Sequence, residues 1–189
     1  MRALCRRRAI EILLMAPLRL DNLAALNLEQ NLIRPGRGPT MHIVFEREDV
    51  KNCEPLDYPL PPPSIALIER YLAEFRPRLA LPGCTALFPG RGGGPKSLNA
   101  LRDQIAKAVH RHTGMRMNPH LFRYATAKLY LDGNPGAYEV VRRVLGHRSI
   151  NTTTTFYTGL ETGPAVRHFD KTILKLRNGV DTDDQNPSS

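Results

Sequence analysis

With 189 residues, 41% of them hydrophobic and 24% charged, the chain has the size and balance of one globular domain with a core of its own. Its 27 basic residues against 18 acidic ones leave a net charge of +9, and the partner that such a surface favours is a polyanion, nucleic acid first. Three widely spaced cysteines, Cys5, Cys53 and Cys84, exclude a disulfide framework and a Cys-x-x-Cys zinc site, and fit a reducing compartment.

The basic start of the chain could pass for a secretory leader, but Glu11 interrupts its apolar run and no small-residue cleavage site follows. No apolar run approaches the length of a membrane span. Residues 2–16 read instead as a helix with Cys5, Ala9, Ile12, Leu13 and Ala16 on one stripe, ended by Pro17. Asp21 is the expected N-cap of a short second helix carrying Leu23 and Leu26. A small antiparallel sheet follows: one strand ending at Leu32-Ile33, a turn at Pro35–Gly38, a strand over 41–45 and a third over 55–60. Lys51 sits between the second and third strands.

Ser64 is expected to cap the next helix, whose stripe is Ile68, Tyr71, Leu72 and Phe75. Residues 77–96 form a Gly/Pro-rich connection containing GRGGGPKS. That run resembles a phosphate loop but has Pro95 immediately before its lysine and no apolar strand leading in, so it reads as a flexible loop. Ser97 caps a further helix with Leu98, Leu101, Ile105 and Val109 inward, Arg102, Lys107, His110 and Arg111 outward, and Gly114 closing it. Asn118-Pro119 introduces a helix whose predicted core face is Phe122, Ala125 and Leu129, stopped at Gly133. Pro135 is expected to start another with Val140, Val141, Val144 and Leu145 apolar, ended by Gly146. A last helix is expected over 164–177 with Val166, Phe169, Ile173 and Leu176 in register, then a disordered tail. The predicted fold class is α+β: mainly α-helical with a small three-stranded antiparallel sheet.

The chemistry is concentrated between His120 and Tyr157, HLFRYATAKLYLDGNPGAYEVVRRVLGHRSINTTTTFY. His120 and Arg123 are three apart, so they share a helix face. His147 falls at a helix boundary in Leu145-Gly146-His147, and Tyr157 follows four threonines. An arginine offers a fork of donors matched to phosphate, a histidine relays a proton, and a tyrosine hydroxyl is a nucleophile. Tyr58, Tyr124, Tyr130 and Tyr138 suit a packing role instead.

In its His-x-x-Arg box, its Leu-Gly-His and its tyrosine after a Thr-rich turn, this stretch resembles the catalytic domain of the tyrosine recombinases, the phage integrase family. The interval from His147 to Tyr157 is about one residue longer than the family's commonest spacing. The resemblance extends from Met1 to about Phe169. It implies the DNA breaking-and-rejoining fold and cleavage through a 3′-phosphotyrosine, with no metal, ATP or other cofactor. Arg19, in a Leu-Arg step before a short helix, is similar to the family's first catalytic arginine, with Asp21-Asn22 in place of the more usual Ser-Glu. Read on local sequence alone, Arg19 would be a solvated loop arginine. Lys51 is similar to the hairpin lysine that protonates the leaving oxygen; a hairpin-tip lysine is otherwise simply solvated. The expected catalytic set is Arg19, Lys51, His120, Arg123, His147 and Tyr157, with Arg91, Lys96 and Arg148 as DNA contacts.

The implied organisation is a catalytic domain over 1–178 and a tail over 179–189, without the helical core-binding domain that family members carry ahead of the first arginine. The implied partner is double-stranded DNA, bound by a homo-oligomer that is monomeric when free, in the cytoplasm at the nucleoid and away from membranes. The alternative is a remnant that binds DNA without recombining it.

Overall fold

The computed structural model describes residues 2–36, 38–157 and 166–174, and within these the side chains of all but residues 2–8, 156 and 157. Helix α1 (Arg2–Met15) leads through Pro17 to the short α2 (Leu20–Ala25). The sheet follows, with β1 (Leu32–Ile33), β2 (His42–Phe45) and β3 (Leu56–Pro59) antiparallel in the order β1-β2-β3. Ile43 pairs with Leu32 on one side and Tyr58 on the other. Helix α3 (Pro62–Arg70) runs on into a π turn over Tyr71–Phe75, and α4 (Leu98–Thr113), α5 (Pro119–Gly133), α6 (Tyr138–Leu145) and α7 (Ile150–Tyr157) follow. Residues 166–174 are helical and are here called α8. The fold is therefore mainly helical around a three-stranded antiparallel sheet, as expected.

One apolar core joins α1, α2, the sheet, α3 and α4. Ala9, Ile12, Leu13, Leu18, Leu23, Met41, Ile43, Tyr71 and Ile105 are at most 1% exposed within it. Phe122 ties α5 into this core. A second, smaller cluster (Ala127, Leu131, Val141, Leu145) packs α6 onto α5.

Several local expectations are corrected. Arg19 rather than Asp21 is the N-cap of α2, and Asp21 lies in its first turn. The cap of α3 is Pro61, with Pro62 at N1, because the proline run has its φ preset for helix entry. Ser64 is instead buried inside the helix, its hydroxyl 2.6 Å from Glu11 Oε1 on α1. Leu98 is exposed at the first turn of α4, while Leu101, Ile105 and Val109 face inward and Ser97 and Gly114 cap the helix as expected. On α5 the buried face is Phe122, Arg123, Ala127 and Leu131, leaving Leu129 70% exposed. The buried arginine rotates that helix away from the purely apolar stripe. Helix α6 starts at Tyr138 rather than Pro135, and only Val141 and Leu145 of its apolar residues are buried.

The 77–96 connection also contributes buried residues and hydrogen bonds to the fold. Leu87 and Phe88 are buried, Leu87 N donates to Leu26 O at 2.7 Å, and the Arg76 guanidinium grips the Cys84 and Ala86 carbonyls. Within GRGGGPKS, Gly90 N donates to Gly94 O at 2.8 Å and closes a turn. Gly90 is required there, since a Cβ would lie 2.8 Å from Pro95 O. On α8, Val166, Phe169 and Ile173 are all exposed; Leu176 and the expected tail over 179–189 lie outside the described residues.

Candidate active site

The site is assembled on the C-terminal end of α6. A helix leaves its last carbonyls without intrahelical partners, and here each is accounted for. Gly146, at φ +60°, turns the chain so that His147 N donates to Arg142 O at 2.9 Å and Gly146 N to Arg143 O at 3.0 Å. The next four carbonyls accept side chains from four different places. Tyr58 Oη on β3 donates to Val144 O at 2.6 Å, and Arg123 Nη2 on α5 to Leu145 O at 2.6 Å. Asn52 Nδ2, in the β2–β3 turn, donates to Gly146 O at 2.8 Å, and Arg142 Nη1 to His147 O at 2.8 Å. Close packing also demands the glycine: a Cβ on Gly146 would meet Leu56 Cδ2 at 2.8 Å.

Arg123 is 6% exposed, and its other terminal nitrogen donates to the Pro17 carbonyl in the α1–α2 connection. Two carbonyls from distant parts of the chain thus hold its guanidinium in one orientation. Arg19, half-buried, stands two residues after Pro17. Both guanidiniums bear on the same neighbours. Burial pushes the Tyr58 hydroxyl up to about 12, against the pull of Arg123 and Arg19. His147 is held down to about 4, first by burial and then by the charges of Arg123, Arg19 and Arg142. Its Nδ1 lies 2.9 Å from Oγ1 of the fully buried Thr153 on α7.

Arg19, Arg123 and His147 are therefore brought together. Lys51 and His120 are both exposed. Tyr157 ends α7, one helical turn beyond Thr153, and its side chain lies outside those described. Of the expected DNA contacts, Arg91 and Arg148 are exposed, and Lys96 is half-buried with Nζ donating to Gln104 Oε1 at 3.1 Å. Sequence reasoning missed Asn52, Thr153 and the second role of Tyr58. Asn52 follows Lys51 directly and Thr153 lies in the conspicuous threonine run, so both carried a signal; Tyr58 carried none. Among the described residues no group of three or more His, Cys, Asp or Glu could hold a metal ion, and no helix is long and apolar enough to cross a membrane.

Comparison with known proteins decides the family. The phage integrase family model matches residues 2–162. This chain belongs to the phage integrase family. Among curated relatives, the tyrosine recombinase XerC of Xylella fastidiosa (strain M23) is 39% identical over 77 residues, 40% of this chain and 25% of that protein. XerC of Pseudomonas aeruginosa (strain LESB58) is 34% identical over 82 residues, 43% of this chain and 26% of that one. This integrase-family chain thus aligns with about a quarter of those relatives' length. Among solved structures, the XerA recombinase superposes with a TM-score of 0.66 at 17% identity, covering 89% of this chain and 57% of that one. The XerH site-specific recombinase bound to its difH substrate gives 0.64 at 19% identity, over 80% and 42%. These confirm the integrase-family fold.

The environment of His147 makes a direct expectation. Its charged form is disfavoured in the folded chain, so the unfolded state binds the proton first as pH falls. His147 then contributes nothing to the pH dependence of stability above the unfolded value near 6.5. Below it stability falls progressively with pH, levelling off below about 4. In a 15N-edited imidazole titration His147 is expected to stay neutral at pH 5; a midpoint above 6 would overturn the assignment. His147→Gln should flatten the stability profile between those limits.

Proposed function

We propose that this chain is the catalytic domain, over residues 1–178, of a site-specific DNA recombinase that cuts and rejoins DNA through a 3′-phosphotyrosine. The observation that carries the reading is the convergence of Arg19 and Arg123 on a neutral His147, on the turn that leads into the helix of Tyr157. Two guanidiniums, one buried and one half-buried, that both bear on His147 are arranged for an anion such as the scissile phosphate. The XerC relatives and the DNA-bound XerH structure support the same reading.

In this mechanism the phenolic oxygen of Tyr157 attacks phosphorus and the bond from phosphorus to the 5′ oxygen breaks. Lys51 delivers a proton to that departing oxygen, and His120 takes the phenolic proton. Arg19 and Arg123 clamp the non-bridging oxygens, whose charge grows in the transition state. In the tautomer whose Nδ1 accepts from the Thr153 hydroxyl, neutral His147 carries its proton on Nε2 and donates it to the phosphate. Attack by a DNA 5′ hydroxyl on the phosphotyrosine reverses the chemistry and joins strands, so no ATP or metal is needed. Arg91, Lys96 and Arg148 contact the DNA backbone. So do Lys107, His110, Arg111 and Arg116, which line one hollow beside the start of α5. The protein works in the cytoplasm at the nucleoid, monomeric when free and oligomeric on its sites.

Covalent capture tests this. From a pool of random-sequence duplexes nicked near the cleavage position, the chain is expected to retain an SDS-resistant adduct in the presence of EDTA. Salt-sensitive binding without any adduct would leave a DNA-binding remnant, and an adduct abolished by EDTA would point to metal-dependent cleavage.

A further inference from the structure

Lys51 lies in a tight turn, Val50 to Cys53, closed by Cys53 N donating to Val50 O at 2.8 Å, with Cys53 itself at φ +52°. Val50 is buried, but Lys51 and Cys53 are exposed, so side-chain packing does little to fix the tip. Two asparagines tie it down from opposite sides. Asn22, buried on α2 three residues after Arg19, donates through Nδ2 to Asp49 O at 3.2 Å. Asn52 donates through Nδ2 to Gly146 O at 2.8 Å, immediately before His147. The lysine turn is thereby linked to the segment of each of its two active-site neighbours through backbone carbonyls.

We infer that Asn52 is a positioning residue for Lys51: its hydrogen bond to the Gly146 carbonyl holds the lysine turn closed on the Leu-Gly-His turn, so that the ammonium reaches the departing 5′ oxygen. This rests on the proposed role of Lys51 as proton donor. A lysine reaches its target through four flexible bonds, and only the placement of its backbone limits where the ammonium can go. Freed from Gly146 O, the 46–55 connection swings and the proton is delivered from a poorer position. A misplacement of about 1 Å in such a group costs on the order of 10²-fold in rate. The bond transfers no proton itself. The step remains the breaking of the bond from phosphorus to O5′, whose electron pair takes a proton from Lys51 Nζ while the Tyr157 oxygen joins phosphorus.

The test uses the full chain and a nicked duplex recovered in the covalent capture, made in two forms. One carries the ordinary 5′-bridging oxygen, the other a sulfur in its place, which leaves as a thiolate and needs no proton. Asn52→Leu removes the donor at nearly constant volume, and Asn52→Ala is the milder second variant. Each is expected to slow adduct formation on the oxygen duplex by roughly 10- to 100-fold and to recover most of that loss on the sulfur duplex. Lys51→Ala, run beside them, should show the same rescue. A loss equal on both duplexes, or no loss, overturns the inference. If the unaltered chain forms no adduct with any duplex, the recombinase reading fails separately. Amide hydrogen exchange over residues 49–53 then still decides the tie: faster opening in Asn52→Leu supports it, and unchanged exchange overturns it.

Discussion

Tyr157→Phe is expected to reduce covalent adduct formation on a nicked duplex to below detection while leaving DNA affinity and melting temperature as they were. The substitution deletes one oxygen atom, the one that in the proposed mechanism forms the bond to phosphorus. Without it the clamped phosphate has no nucleophile, because neighbouring Thr152–Thr155 carry aliphatic hydroxyls far less acidic than a phenol, whose ordinary value is about 10. The stability change should stay within about 0.5 kcal/mol, because a single atom is removed and none is added. Gel shift, melting and SDS-resistant adduct measured on the same preparation separate the three quantities. An adduct of unchanged yield in the variant would move the nucleophile elsewhere, and peptide mapping of the phosphorylated residue would locate it.

Arg123→Lys is expected to be nearly as damaging to cleavage, for a different reason, and to leave a signature in stability as well. The guanidinium is 6% exposed and spans from the Pro17 carbonyl to the Leu145 carbonyl while facing the cluster with His147. A lysine keeps the charge but not the planar fork, so it cannot hold both carbonyls and present two parallel donors to a phosphate. Losing a transition-state donor of this kind costs on the order of 10²- to 10³-fold in rate. A buried carbonyl left without a partner costs about 1–3 kcal/mol in stability. The net charge is unchanged, so the affinity for duplex DNA and its salt dependence should change little. Equal losses in affinity and in cleavage would mark Arg123 as an ordinary backbone contact.

In the proposed mechanism stability and catalysis meet at Arg123, and that is the kind of coupling no linear pattern displays. From its own spacing, His-x-x-Arg shows only that the two residues share a helix face. Burying the arginine and exposing the histidine was a tertiary outcome: α5 is turned so that Phe122, Arg123, Ala127 and Leu131 face inward. The expected apolar face through Leu129 was wrong for the same reason, because a purely hydrophobic pattern has no place for an inward-facing cation that is held by carbonyls. Ser64 shows the converse. Its type suits a cap, but the prolines before it had already set the helix start, and its hydroxyl meets Glu11 across the interface with α1.

The sequence by itself determined what depends on local backbone geometry and on residue chemistry. Pro17 ends the first helix, Ser97 and Asn118 start two others, and Gly114 and Gly146 close two with left-handed residues, because each of these requirements is met within a few neighbouring positions. The residue types that can handle a phosphate were legible for the same reason, as was their order along the chain. Only the tertiary structure decided which groups those residues lean on. The four carbonyls at the end of α6 are satisfied by Tyr58, Arg123, Asn52 and Arg142, and the first three come from elements 22 to 94 residues away in the chain. A carbonyl looks the same at every position of a sequence; which side chain reaches it is set by packing, and packing half-buried His147 within reach of the charges of Arg123, Arg19 and Arg142, which disfavour its charged form.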